Sequence, residues 1–473
     1  MNRVWRLLPI MVLSGCSVLG TPWQPPEVAP PTAWSVPLPQ EQREKAERQQ
    51  EHDFWQSWQD PQLLEWIQQS WLANHDLQLA LARLREARAQ QRMVGGGEQP
   101  VLDANAAVLR DRISENNRVP LYGLANPVTL HQVGFDARWE WDLFGRQHLE
   151  REAAQAETVA MERGLEALQI TLAAEVAVTY CDWRLAHQQI ALLQQQAAIS
   201  RTLLQLVISR VQAGLNPELD RHRAEDQALQ IEARLPAARA AAEVALRRLA
   251  ILTGAQADAL LGTELSSQPL PAQVPPLPEL LPAELLERRA DLKAAEAKAR
   301  AAHARVGVAE GEKWPELSLA ATVGTLSVAS ASLFSPGSRF FQAGPQLKWP
   351  IFHGEALAAA VAVAEAKRDQ ERIAWLKAAA EAIEEVEKGL LRHQEAVDKD
   401  RLLQSALQAQ QQALKLAQVR YQRGMSDFSV PLELARQVMA MELERLEMQR
   451  LRLSSGIALY KALGGGWRAE KAP

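Results

Sequence analysis

The sequence predicts a mainly α-helical, internally duplicated chain that contributes four strands to a membrane β-barrel. Four segments of about ten residues alternate apolar and polar side chains, which is the period of a strand with one apolar face. Long segments rich in Ala, Leu, Gln, Glu and Arg contain almost no Pro and are typical of long helices. Motifs of the first half return in the second. A soluble sheet resting on a helix is the alternative for the four strands.

The two halves carry the same motifs at nearly constant spacing. Residues 210–214, RVQAG, return 210 positions later as residues 420–424, RYQRG, and Trp141 returns as Trp349. Repetition at this scale indicates two copies of one structural unit. The predicted organisation runs as signal peptide 1–15, lipidated extended segment 16–60, first repeat 61–268, Pro-rich linker 269–282, second repeat 283–466 and C-terminal tail 467–473.

Each repeat is predicted to hold a helix, two strands, a very long helix and another long helix, in that order. In the first repeat these lie at 61–94, 101–110, 132–143, 146–212 and 218–253. In the second repeat they lie at 282–311, 316–327, 339–351, 355–422 and 429–463. Pro236 is expected to interrupt the last helix of the first repeat. A helix over 146–212 would be on the order of 100 Å long.

Aromatic side chains occupy the apolar faces near the strand ends, and they are Phe135, Trp139, Trp141 and Trp349. Aromatic girdles at both membrane interfaces are typical of outer-membrane barrels, so we expect these four side chains to face lipid. The opposite faces carry charged residues such as Asp136, which suit a water-filled interior.

Four strands are too few to close a barrel, because the smallest membrane barrels have about eight. Open strand edges are not tolerated in lipid, so the chain is expected to oligomerise. Two copies would supply eight strands and three copies twelve. The strand pattern alone does not decide between them.

The N-terminus has the features of a bacterial lipoprotein signal. Arg3 and Arg6 precede a short apolar segment, and residues 13–16 read LSGC. This motif resembles the lipoprotein box, which predicts that Cys16 carries an S-diacylglycerol and an N-palmitoyl group. Ser17, in place of Asp, favours the outer membrane. An ordinary signal peptide with a chance Cys is the alternative.

The composition contains no pattern for catalysis or metal binding. The nine His lack the spacing of zinc ligands, and the net charge of −5 does not favour nucleic acid. The three Gly at 95–97 are not followed by the Lys-Ser/Thr of a phosphate-binding loop. We therefore expect no enzyme, no cofactor, no metal and no nucleic-acid partner.

Several separated segments, in the same order, resemble the TolC/OprM-like outer-membrane factors, in particular the NodT-type lipoproteins of resistance-nodulation-division (RND) efflux systems. The segments are WEWDLFGR at 139–146, AGLNPELDRHRAEDQAL at 213–229, the block at 288–319 and RYQRGMSDFSVPLELARQ at 420–437. The resemblance covers nearly all of the chain after Cys16. One departure is Ala290, where the family usually has Pro.

This resemblance implies a homotrimer with a twelve-stranded β-barrel in the outer membrane, continued by an α-helical barrel in the periplasm. It implies a tripartite efflux system in which a periplasmic adaptor and an inner-membrane transporter, of the RND type, deliver small toxic compounds or drugs for passive export. An exit duct for type I protein secretion is the alternative function. A coiled-coil lipoprotein without transport activity is a third hypothesis, but it leaves the four strands unexplained.

The resemblance also suggests roles for residues near the two helix-to-helix turns. The turns would contact the adaptor through Gly214, Leu215, Gly424 and Met425, although Gly at these positions also suits any tight turn. Glu433, with Tyr421 and Asp427, would line the closed pore constriction. A solvated helix carboxylate is an equal alternative for Glu433, and Val430 makes a second acidic ring doubtful.

Overall fold

The computed structural model describes residues 20–26, 30–34, 54–112, 114, 127–256, 274–275 and 282–465. The predicted signal peptide, Cys16 and the tail 467–473 lie outside these ranges, as do parts of the segment 16–60 and most of the linker 269–282.

Helices dominate the described residues, and their order repeats between the two halves. In chain order they are α1 Pro61–Ala73, α2 His75–Gly96, α3 Arg146–Gln212, α4 Glu218–Glu232, α5 Leu235–Thr253, α6 Pro282–Arg288, α7 Ala290–Gly311, α8 Ala356–Gln422 and α9 Ser429–Ala462. The two longest, α3 and α8, have 67 residues each. None of the described helices is long and apolar enough to cross a membrane.

The four predicted strands form one antiparallel sheet in the order β1-β2-β3-β4. Their bounds are β1 Val101–Asp111, β2 Val128–Trp141, β3 Glu316–Ser327 and β4 Arg339–Lys348. The register aligns Ala104, Phe135, Val323 and Phe341 across all four strands. Directly paired residues share a face of the sheet, so the predicted apolar face is confirmed.

Two details of the predicted elements are wrong. Strand β2 begins at Val128, four residues earlier than expected, and β4 ends at Lys348, so Trp349 follows the strand. The helices expected at 61–94 and 282–311 each break once, at Asn74 and Arg289. These two positions are 215 residues apart, so the break belongs to the repeated unit.

Side-chain hydrogen bonds explain the break at Asn74. Its side-chain oxygen accepts a hydrogen bond from the Leu77 amide at 3.1 Å, which caps the start of α2. Its side-chain nitrogen donates to the Leu252 carbonyl at 3.0 Å. Asn74 is buried, so both bonds replace contacts with water that the side chain has lost.

The chain divides into two compact units. The first contains the sheet and comprises 1–27, 82–162 and 294–376, whereas the second comprises 28–81, 163–293 and 377–473. The second unit holds an aromatic core in which Phe54 stacks on Tyr460 with ring centroids 3.9 Å apart. A segment that precedes α1 therefore packs directly against the end of α9.

A buried polar cluster holds the start of α1 against α3. The Asp60 carboxylate caps α1 by accepting from the Gln62 and Leu63 amides. It also accepts a hydrogen bond from the Tyr180 hydroxyl at 2.7 Å and pairs with Arg184 at 3.3 Å. Burial raises the pKa of Tyr180, so the hydroxyl keeps its proton and remains a donor.

Cys181 lies beside this cluster and is fully buried, in agreement with its interpretation as a small apolar side chain. Burial raises the pKa of its thiol, with a further contribution from the negative charge of Asp182. The thiolate, which is the reactive form, is therefore suppressed.

His393 on α8 is a second buried polar residue of this unit. Its Nδ1 lies 3.2 Å from the Ser455 hydroxyl of α9, and the nearby Arg452 binds Asp400 at 2.8 Å. Burial, together with the positive charge of Arg452, lowers the pKa of His393 to about 4. The native protein therefore holds this imidazole in its neutral form.

We expect His393 to make the fold sensitive to acid. Unfolded His titrates near 6.5, so the free energy of unfolding should fall as the pH drops from about 6.5 to about 4, by at most about 3 kcal/mol. Denaturant unfolding of the purified protein across this range should show the loss, and His393→Gln should remove it. The exposed His222 gives the matched control, His222→Gln. An unchanged pH profile in His393→Gln would contradict the assignment.

Candidate functional site

The turn between α3 and α4 ends the long helix with a rigid, hydrogen-bonded motif. The Leu215 amide donates to the Arg210 carbonyl at 2.8 Å, and the Gly214 amide donates to the Val211 carbonyl at 2.9 Å. Gly214 has a φ of 71°, which only Gly adopts without strain. This combination is the Schellman motif, which satisfies the last carbonyls of a helix.

The turn between α8 and α9 repeats the same geometry. The Met425 amide donates to the Arg420 carbonyl at 2.9 Å, the Gly424 amide donates to the Tyr421 carbonyl at 2.9 Å, and Gly424 has a φ of 73°. Leu215 is 68% exposed and Met425 is 54% exposed. Each repeat therefore presents one exposed apolar side chain at the same position of a stiff turn.

A polar network joins the two turns. Asn216 donates through its side-chain nitrogen to Asp220 at 2.9 Å and to the Tyr421 hydroxyl at 3.1 Å. Its side-chain oxygen accepts from Arg210 Nε at 3.0 Å, and the Arg210 guanidinium lies 5.0 Å from the centroid of the Tyr421 ring. Asn216 thus binds a residue that lies 205 positions away in sequence, in the other repeat.

An apolar layer lies beneath this network. Five residues of both repeats are buried together, namely Val207, Ala224, Tyr421, Phe428 and Leu432. The Tyr421 and Phe428 rings are 5.6 Å apart. Tyr421, predicted near the constriction, is therefore packed between the two repeats of one chain, with its hydroxyl bound to Asn216.

The two predicted acids of the constriction are exposed. Glu433 accepts a hydrogen bond from Gln437 at 3.1 Å and makes no ion pair with another described residue. Asp427 lies in the turn before α9. One helical turn beyond Glu433, Arg436 binds Asp226 of α4 at 2.9 Å. The charge of Arg436 is neutralised within the chain, whereas Glu433 has no ion-pair partner among the described residues.

The predicted lipid-facing residues lie on or next to the apolar face of the sheet. Phe135, Trp139 and Trp141 are all exposed on β2, and the indoles of Trp139 and Trp141 lie 6.4 Å apart, nearly parallel. Trp139 also donates through its indole nitrogen to the Glu98 carbonyl at 3.0 Å. Trp349, just after β4, is exposed too.

The opposite face of the sheet carries a polar ladder. Asp136 accepts hydrogen bonds from Asn105 of β1 and from the Thr322 hydroxyl of β3, the latter at 2.7 Å. Arg138 pairs with Glu316 at 2.8 Å. These bonds cross three strands, which accords with the predicted polar face.

Sequence reasoning missed the linking role of Asn216 and Arg210. Arg210 was visible only as part of the repeated RVQAG motif, and Asn216 as a polar residue next to Gly and Pro. The described residues contain no cluster of three or more His, Cys, Asp or Glu able to hold a metal ion.

Comparison with known proteins identifies the family. The model of the outer membrane efflux protein family matches residues 66–255 and 281–465. The solvent efflux pump outer membrane protein SrpC of Pseudomonas putida is 30% identical over 87% of each chain. The outer membrane protein OprJ of Pseudomonas aeruginosa is 30% identical over 98% of this chain and 96% of its own. The solved outer-membrane channel OprN covers 94% of this chain and 99% of its own, with a TM-score of 0.84 and 28% identity.

Channels of this family are trimers that join a β-barrel to an α-helical barrel, and they work with an adaptor and an inner-membrane pump. The predicted fold class, outer-membrane location and efflux function are thereby confirmed. The four-stranded sheet is one third of a twelve-stranded barrel. The chain belongs to the outer membrane efflux protein family and forms the outer-membrane channel of a tripartite efflux system.

Proposed function

We propose that this channel is a passive exit duct for small, largely apolar toxic compounds, supplied by a proton-driven RND transporter through a periplasmic adaptor. The relatives that carry this proposal include the solvent efflux protein SrpC and the toluene efflux protein TtgI, both 30% identical to the chain over 420 residues. We propose no enzymatic activity, since the family consists of channels.

Type I protein secretion is the second candidate, because it also needs an outer-membrane duct. The names of the similar proteins, which refer to solvents, antibiotics and pyoverdine, favour small molecules. The two candidates differ in the energy source and in the size of the transported compound.

Coexpression in an efflux-deficient Gram-negative host separates these functions. With an RND transporter and its adaptor, the channel should restore growth in the presence of toluene. The transporter and adaptor without the channel should not. With an ATP-driven exporter and its protein substrate, the channel should release no protein into the medium. Protein secretion without solvent resistance would overturn the proposal.

The two exposed turns are proposed as the adaptor contacts, through Gly214, Leu215, Gly424 and Met425. In a Schellman motif the apolar residue after the Gly commonly packs back on its own helix, yet Leu215 and Met425 are largely exposed. Apolar side chains on hydrogen-bonded turns suit a partner that covers them, because the backbone of the turn loses little conformational freedom on binding.

A charge at these positions should break the contact. Leu215→Asp combined with Met425→Asp should abolish crosslinking to the adaptor and return solvent resistance to that of a host without the channel. The desolvated carboxylates would have no partner in an apolar contact. Leu215→Met combined with Met425→Leu is the matched control and should retain both activities. Normal adaptor crosslinking by the Asp variant would contradict the proposed contact.

Glu433 and Asp427 are proposed to line the closed constriction, and Tyr421, which is buried within the chain, is proposed to contribute to it indirectly. Support comes from the unpaired charge of Glu433, which three copies would repeat around the trimer axis. Rings of carboxylates favour cations in a pore. Tyr421 would act from within the chain, by holding the two turns together through Asn216.

Neutralisation of the Glu433 carboxylates should alter the ion selectivity of the channel. Glu433→Gln keeps the shape and the hydrogen bond with Gln437 but removes three negative charges from the trimer, so cation preference in planar bilayers should decrease. Glu447→Gln removes an exposed acid from the same helix and should leave selectivity unchanged. Equal ion selectivity of the unchanged channel, Glu433→Gln and Glu447→Gln would place Glu433 away from the constriction.

Two membrane contacts complete the proposal. Cys16 is proposed to carry the lipid anchor, on the strength of its LSGC motif. Phe135, Trp139, Trp141 and Trp349 are proposed to face lipid, because they are exposed on or beside the apolar face. Indole rings favour the boundary between lipid and water.

A further inference from the structure

We propose that residues 20–23 bind in a notch between α3 and α7, and that this N-terminal dock determines where the lipid anchor enters the membrane. The inference about the anchor rests on the proposed acylation of Cys16. Residues 20–26, the start of α3 and the end of α7 belong to the same compact unit, so the contacts between them are internal to it.

Two glycines shape the notch. A side-chain carbon at Gly307 would lie 2.6 Å from Leu149 Cδ1 and 3.5 Å from the Gly20 Cα. A side-chain carbon at Gly20 would lie 3.2 Å from Leu149 Cδ2, and Gly20 has a φ of 94°. Leu149 is buried. The N-terminal segment therefore lies close to both helices, at a point where an added side-chain carbon would have to displace the buried Leu149 side chain.

His303 holds the next residues of the segment. Its Nε2 donates a hydrogen bond to the Thr21 carbonyl at 2.7 Å, and its ring meets the Trp23 ring edge-on at 5.6 Å. A proton on Nε2 is present both in the imidazolium and in one neutral tautomer, so this bond does not require a charged His303. Trp23 is half-buried by the contact.

The dock lies close to the strands of the sheet, and this position restricts where the lipid anchor can reach. Leu149 lies in the first turn of α3, directly after β2, and Gly307 lies near the end of α7, directly before β3. Cys16 is four residues from Gly20, so an extended chain spans at most about 14 Å between them. The acyl chains are thereby confined near the level at which β2 ends and α3 begins. In a barrel that spans the membrane, this level corresponds to the membrane surface.

A spin label at residue 24 tests the dock in the full-length trimer. Gln24 is exposed, Cys181 is buried and acylated Cys16 does not react, so Gln24→Cys provides one labelling site. We expect an immobilised label in the parent protein and several-fold faster motion in His303→Phe, which keeps the ring but loses the donor. Gly307→Ala should release the label as well, since the added methyl displaces Leu149.

Gly95→Ala is the matched control, because a methyl group there meets no other atom within 4 Å. Palmitate incorporation, measured on the same samples, separates the two proposals. A label that moves equally in the parent protein and in both dock variants, with normal palmitate incorporation, overturns the dock alone. A parent protein that incorporates no palmitate overturns the anchor at Cys16 and with it the anchoring role of the dock.

Discussion

The unpaired backbone edges of β1 and β4 are the constraint on which the rest of this channel depends. Both strands lie at the ends of the sheet, so each presents a row of free N–H and C=O groups. In lipid each unsatisfied group costs several kcal/mol, and the part of the chain that the structure describes supplies no further strand to either edge. Association of three chains joins β1 to β4 of the next copy and satisfies both edges together.

Because of the internal duplication, each repeat supplies both strands for the membrane barrel and long helices for the periplasmic part. Each repeat supplies two strands with an apolar and a polar face, and one helix of 67 residues that ends in a Schellman turn. The repeats are fastened to each other inside the chain, most clearly where Asn216 of the first binds Tyr421 of the second. The network lies beside the exposed turns, so movement of either turn must strain or break these bonds.

Periodicity predicted the strands and the long helices well, because burial of one face imposes a period of two on a strand and the absence of Pro permits a long helix. The bounds of α3, Arg146–Gln212, agree with the prediction. Gly214 and Gly424 were recognisable as turn residues because their conformation favours Gly.

Features that depend on distant side chains were not predictable from local pattern. The break at Asn74 relies on a bond to the Leu252 carbonyl, 178 residues away. The packing of Tyr421 depends on Asn216, and the notch for Gly20 depends on Gly307 and Leu149. In each of these contacts the two residues are brought together only by the tertiary fold. Neither residue belongs to a periodic sequence pattern that would reveal the contact.

Disulfide trapping between β1 and β4 tests the closure of the barrel most directly. Cysteines would be placed one pair at a time on the apolar faces, at Leu102 or Ala106 of β1 and at Phe341 or Leu347 of β4. Within one chain these edges are three strand spacings apart, about 14 Å, which exceeds the reach of a disulfide. Closure by three copies predicts that one register yields covalent trimers in outer membranes on oxidation. Covalent dimers without trimers, or monomers in every register, would contradict it.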